Sequence, residues 1–294
     1  MKRYLFVFIT LLILSGIIGV QKMNSSKIYL AEKTQLQEKL QKEIIKSIKT
    51  FDGEVSVYIK DLKGDIEFCY NDEKLFPSAS LVKLLIMASV FKAANDGVLN
   101  LNDEMTLLPK HKISGSGKLK NMRTGKKFTI EKLVYYMITE SDNTATNMLT
   151  DRLGFTYINW VIKQLGLKNT NFDRLIMDLK ARDYYHIENY TTARDIGIFL
   201  TELYYGKIIN KEASDKMIEI LCQQKINDRI PRFLSKDYTI AHKTGYMKTL
   251  CHDAGIVFSS KGDFIICVLT SDFRNIKVAK KFIGNLAYKT VEIL

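Results

Sequence analysis

The chain has 294 residues, 46% of them apolar and 26% charged, with a net charge of +12. That balance excludes a disordered chain and allows one large domain or two small ones with an ample core. The positive excess reads as a lysine-rich solvated surface. The basic run Lys118, Lys120, Arg123, Lys126 and Lys127 comes with no nucleic-acid motif, so no nucleic-acid partner is expected.

At the N-terminus, Lys2 and Arg3 precede an uncharged apolar run from Tyr4 to Val20. This is the layout of a secretory signal, and the run is just long enough to stay behind as an anchor. Residues 1–22 are therefore expected to be a signal peptide or membrane anchor, and 23–294 an exported domain. The destination is extracellular, periplasmic or anchored, with membrane contact only through that segment.

From Asn24 to about Phe51, Gln, Glu, Lys and Leu recur at helical spacing. Val55 to Asp61 and Ile66 to Asn71 are β-rich and joined through Lys63-Gly64, a hairpin signal. Pro77 and Ser78 then supply turn and capping chemistry before an apolar segment from Leu81 to Phe91, with Gly97 as a stop. Since nearly every side chain there is hydrophobic, a helix buried on all sides is predicted. Residues 98 to 127 read as loop-rich. Ile130 to Thr139, Thr144 to Leu153 and Tyr157 to Leu165 read as helices. The polar stretch Asn169 to Tyr190 is too long for an idle connector. Thr191-Thr192 cap a helix to about Tyr205, and Lys211 to Cys222 is another. Three β-rich runs follow, Tyr238 to Gly245, Asp253 to Phe258 and Phe264 to Ser271, and then a helix from Lys277 to Leu294. Strands at both ends and helices between predict an α+β fold, one sheet built from both ends with a helical insert.

The cysteines (Cys69, Cys222, Cys251, Cys267) and the histidines (His111, His186, His242, His252) lack ligand spacing, so neither a metal nor another cofactor is expected. The chemistry points elsewhere. Ser80 and Lys83 stand three apart at a helix start, share a face and can touch. A buried helix start offers Ser80 free N–H groups, and burial lowers the lysine toward a usable base. A serine beside such an amine is a nucleophile arrangement. Alone, the spacing fits equally a capping serine with a solvated lysine, and Ser89 to Lys92 repeats it within ordinary packing.

Two further motifs follow in order: Ser141-Asp142-Asn143 and Lys243-Thr244-Gly245. With them stand Gly115-Ser116-Gly117, Thr139 to Asn147, Ala241-His242 and Asp253 to Val257. The set resembles class A β-lactamases and their penicillin-recognising relatives over roughly residues 30 to 294. The resemblance implies a five-stranded antiparallel sheet with helices on both faces and a helical lobe, the site lying between them. It makes 23–294 a class A β-lactamase-like catalytic domain, expected to be monomeric. It implies Ser80 as nucleophile, Lys83 as proton acceptor, Ser141 as proton donor to the leaving nitrogen and Asn143 as amide partner of the substrate. Lys243 and Thr244 would receive the substrate carboxylate and Gly245 would let the ligand lie close to the strand, with the N–H groups of Ser80 and Tyr246 as oxyanion hole. The partner implied is a β-lactam or a peptidoglycan stem peptide, and a cell-wall polyanion suits the basic surface.

One part of the pattern is missing. The family carries a Glu within Glu-x-x-Leu-Asn in the long loop, and none occurs between Asn169 and Tyr190. Counting forward from Arg174, the resemblance would place it at Ile176; counting back from Thr191-Thr192, at Met177. Asp178 is the nearest carboxylate, read either as a substitute base or as a loop hydrogen-bond acceptor. A D-Ala-D-Ala peptidase or transpeptidase with slow β-lactam deacylation is the alternative, and a non-catalytic sensor a further one.

Overall fold

The computed structural model describes residues 29–64 and 66–294; the expected signal or anchor lies outside them. Two segments far apart in the chain supply one sheet. β1 (Glu54–Asp61) and β2 (Glu67–Tyr70) form the expected hairpin, and β7 (Thr239–Met247), β8 (Leu250–Phe258) and β9 (Phe264–Ser271) follow late. β1 pairs with β9 from Glu54 opposite Ser271 to Asp61 opposite Phe264. The order is therefore β2-β1-β9-β8-β7, all pairs antiparallel.

The alternation of side chains along β9 explains why helices cover both faces. Ile265, Cys267 and Leu269 enter one core, while Phe264, Ile266 and Val268 enter the other. The second core is closed by α1 (residues 29–48) and α9 (Ile276–Ile293). The first joins the sheet to a helical lobe centred on α2 (Lys83–Asn95). Residues 81 to 91 are buried without interruption, as an apolar helix without a polar face requires. Ser89, the decoy copy of the motif, only donates to the Leu85 carbonyl at 2.8 Å.

Around α2 stand α3 (Ile130–Thr139), α4 (Asn143–Leu153), α5 (Phe155–Gln164) and α8 (Lys211–Cys222), while α7 (Ala193–Tyr204) lies on the sheet against β1 and β9. Their starts follow capping chemistry. Thr129, Asp142, Thr192 and Asn210 each accept a backbone N–H with the side chain. The loop-rich stretch 98–127 also contributes a short pair, β4 (Glu104–Thr106) with β5 (Lys127–Thr129). One expectation needs correction. The regular helix begins later than Leu81. A 3₁₀ turn over Ala79–Val82 precedes it, and Ala79 has φ of 46°, which an α-helix cannot accommodate.

Candidate active site

The turn carrying Ser80 sits where the lobe meets the sheet's edge strand β7. Its first hydrogen bond runs from Leu81 N–H to Ser78 O at 3.0 Å, so the N–H groups of Ala79 and Ser80 lie outside the turn's own ladder. Ser80 is half-buried on the wall of a cavity of about 520 Å³, with Asn143, Ile176, Met177 and Tyr246 among the other walls. Three non-glycine residues with left-handed backbone border this site: Ala79, Ser141 (φ 52°) and Met177 (φ 64°). Each costs about 1–3 kcal/mol and persists only because its surroundings hold it.

Behind Ser80, two lysines converge on one hydroxyl. Lys83 Nζ donates to Ser141 O at 2.7 Å, Ser141 Oγ at 3.1 Å and Asn143 Oδ1 at 2.8 Å. Lys243 Nζ donates to Ser141 Oγ at 3.0 Å and Thr244 O at 2.9 Å. Both lysines are 0% exposed. Burial pushes Lys83 down to about 7, against the pull of the Asp142 carboxylate. Lys243 is driven well below the ordinary lysine value, first by burial, then by the like charges of Lys83 and Arg229, while Asp253 opposes. Two ammonium groups sharing one oxygen in a buried site repel, so neutral pH favours losing one proton. With both lone pairs of Ser141 Oγ occupied, its own O–H is left to donate.

Asp142, which carried no role in the sequence reading, anchors this arrangement. Its carboxylate accepts from Ala145 N–H at 2.9 Å, Lys118 N–H at 2.7 Å and Leu119 N–H at 2.9 Å. It thus caps α4 and ties down the loop facing Ser80. Gly117 fits this loop because a Cβ there would lie 2.2 Å from the Asp142 carboxyl carbon. Asn143 spends one amide hydrogen on Ser114 O at 3.0 Å, which leaves the other for a ligand.

Hydrogen bonds join Lys83, Ser141, Asn143, Lys243 and the Thr244 carbonyl, and Ser80 lines the cavity that Asn143 also borders. Tyr246, 56% exposed, stands on the same cavity at the end of β7. A Cβ at Gly245 would meet His252 at 3.1 Å and Ala79 at 3.4 Å, so the strand there packs closely on His252 and touches the Ser80 turn.

Asp178 does not join the cluster. It caps the short helix α6 (Leu179–Asp183) by accepting Ala181 N–H at 3.0 Å, the structural alternative of the two readings. Asp178→Ala is expected to cost about 1 kcal/mol of stability, read by thermal unfolding, and to leave the lifetime of any Ser80 adduct unchanged. Ile176 does reach the cavity. Asn147 grips its backbone at both ends, accepting its N–H and donating to its carbonyl, each at 3.2 Å. Glu188 also borders the cavity, but Arg174 holds it at 2.6 Å and Asn189 N–H at 2.7 Å. That pair pins the neck of the long loop. Asn189 reinforces it by accepting from the N–H groups of Asp173 at 2.7 Å and Arg174 at 3.0 Å. These loop-neck residues escaped the sequence reading because their partners are distant in the chain. An Arg and an Asn bracketing a long polar loop were the one available signal.

Such a lysine–serine–lysine core under a helical lobe, edged by an antiparallel sheet, defines a serine hydrolase of the β-lactamase and transpeptidase fold. The model of the beta-lactamase enzyme family matches residues 35–294, and the chain belongs to that family. It is 26% identical over 251 residues to a β-lactamase of Streptomyces lavendulae, covering 82% of this chain and 80% of that one. The β-lactamase CARB-3 of Pseudomonas aeruginosa is 23% identical over 193 residues, 65% of this chain and 67% of that one. Among solved structures, a β-lactamase from Sphaerobacter thermophilus superposes with a TM-score of 0.80 at 28% identity, covering 87% of this chain and 96% of that one. PBP-A superposes at 0.79 and 26% identity, covering 88% and 95%.

Proposed function

We propose that this protein is an exported serine hydrolase that opens the β-lactam amide through an acyl-enzyme on Ser80 and releases the acyl group slowly. Residues 1–22 direct export or anchoring, and 23–294 form the catalytic domain. The observation that carries the reading is the Lys83–Ser141–Lys243 network, together with a Ser80 cavity whose wall bears Ile176 and whose carboxylate, Glu188, is held by Arg174. Neutral Lys83 takes the Ser80 proton as Oγ attacks the amide carbonyl. The N–H groups of Ser80 and Tyr246 receive the developing oxyanion. As the C–N bond breaks, Ser141 passes its proton to the nitrogen and recovers one from a lysine. Lys243 and Thr244 hold the substrate carboxylate, and Asn143 the acylamido group.

Ile176 also favours a second reading, a D-Ala-D-Ala peptidase or transpeptidase. With no base aimed at the ester, an incoming amine or a slow water ends the cycle. Among the similar structures is a leucine-to-glutamate mutant of PBP-A captured as an acyl-enzyme with penicillin G. The test is intact-mass spectrometry after mixing with benzylpenicillin. A one-to-one adduct that decays slowly, is lost in Ser80→Ala and is retained in Ser89→Ala is expected. An adduct that survives Ser80→Ala overturns the assignment. Release of D-alanine from an acyl-D-Ala-D-Ala peptide, faster than penicillin turnover, selects the second reading.

A further inference from the structure

His252 is a buried imidazole with no part in the steps above, and both its nitrogens are engaged. Nδ1 accepts the Thr270 backbone N–H at 3.2 Å, which leaves the ring's proton on Nε2. Nε2 donates to the Pro77 carbonyl at 3.0 Å, across 175 positions of sequence. The ring is 0% exposed and meets Phe76 edge-on at 6.0 Å. Burial pushes it down to about 4, so the neutral tautomer that these bonds demand is kept at neutral pH.

The Pro77–Ser78 peptide that His252 holds is also gripped from the other side. Ser78 N–H donates to the Asn189 carbonyl at 2.7 Å, and Asn189 is the residue that fastens the neck of the long loop. One peptide plane is therefore clamped between the sheet, through His252, and the loop, through Asn189. The next residue is Ala79, with its left-handed backbone, and the one after is Ser80. Ala79 rests against Gly245, beneath which His252 packs. Ala79 is held in a costly conformation by these contacts, so loosening the peptide before it lets the turn relax.

We propose that His252 is a positioning residue for the nucleophile: its hydrogen bond to Pro77 O fixes the turn that aims Ser80 Oγ and the Ser80 N–H. The inference rests on the Ser80 acylation reading. It separates two roles the imidazole plays at once, tying β8 to β9 through Thr270 and tying the sheet to the Ser80 turn through Pro77.

Two amide variants split those roles. His252→Gln places its amide N–H₂ near the position of Nε2 and keeps a donor for Pro77 O. His252→Asn places its carbonyl near Nδ1, keeps the acceptor for Thr270 and gives up Pro77. The acylation rate constant with benzylpenicillin is measured for each by stopped mixing and mass spectrometry, alongside thermal unfolding. Acylation within a few-fold of the parent in His252→Gln, and lower by about 10–100-fold in His252→Asn, is expected. Equal loss in both variants, or loss that merely follows their unfolding temperatures, overturns the proposal and leaves His252 a packing residue. If both variants unfold below the working temperature, Pro77→Ala supplies the check. It keeps the carbonyl, so it must acylate faster than His252→Asn measured just below that variant's unfolding. Absence of any adduct in the parent protein is a different failure, that of the acylation reading itself.

Discussion

Replacing Lys83 by Met slows acylation of Ser80 by about 10²–10⁴-fold, the range for losing a placed general base. Met keeps most of the apolar stem but has no nitrogen to receive the Ser80 proton. The parent enzyme also carries a pH signature of this role. Lys83, pushed down to about 7, is protonated below that pH and cannot accept, so acylation rises as pH increases through about 7. Deprotonation of Lys243, proposed to hold the substrate carboxylate, opposes that rise. It sets in earlier than for an exposed lysine, because burial and two neighbouring cations lower Lys243. The profile reports the coupled pair and not either lysine alone. Rates of adduct formation across the range from acid to alkaline pH check both parts. A rising limb that persists in Lys83→Met would assign it to another group.

Ile176→Glu shortens the life of the Ser80 adduct by about 10²–10⁴-fold while leaving its formation within a few-fold. Position 176 suits this change because its backbone is clamped by Asn147 at both N–H and carbonyl, and its side chain borders the cavity that holds Ser80. Arg174 is already engaged with Glu188 and the Leu175 carbonyl, so the new carboxylate is not simply captured next door. Ile176→Gln is the control of like shape without a base. Adduct decay followed by mass spectrometry separates the two, and equal lifetimes for the Glu and Gln variants would place water activation elsewhere.

Much of the fold was legible because the apolar pattern admits few alternatives. Leu81 to Phe91 has no polar face to expose, and β9 has apolar residues on both faces, so each had to be covered on all sides. The helix start at Thr192 was readable from its capping side chain. The β4–β5 hairpin was not, since strands of three residues carry too little periodicity. The 3₁₀ turn before α2 also escaped notice, because Ala79 adopts a backbone that its own side chain disfavours.

By itself, the sequence determined which groups are available: a serine three residues before a lysine, a second serine with its asparagine, a second lysine on a strand, and a long loop without the Glu-x-x-Leu-Asn pattern. These are local facts of residue type and spacing, and local chemistry suffices to state them. Only the tertiary structure decided that Lys83 and Lys243 meet on one oxygen, that both are stripped of water, and that Asp142 secures the loop beside them. It also showed Asp178 capping α6 and His252 beneath the Ser80 turn. Burial and charge coupling set those outcomes, and both depend on groups brought together from more than a hundred positions apart, such as Ser141 and Lys243.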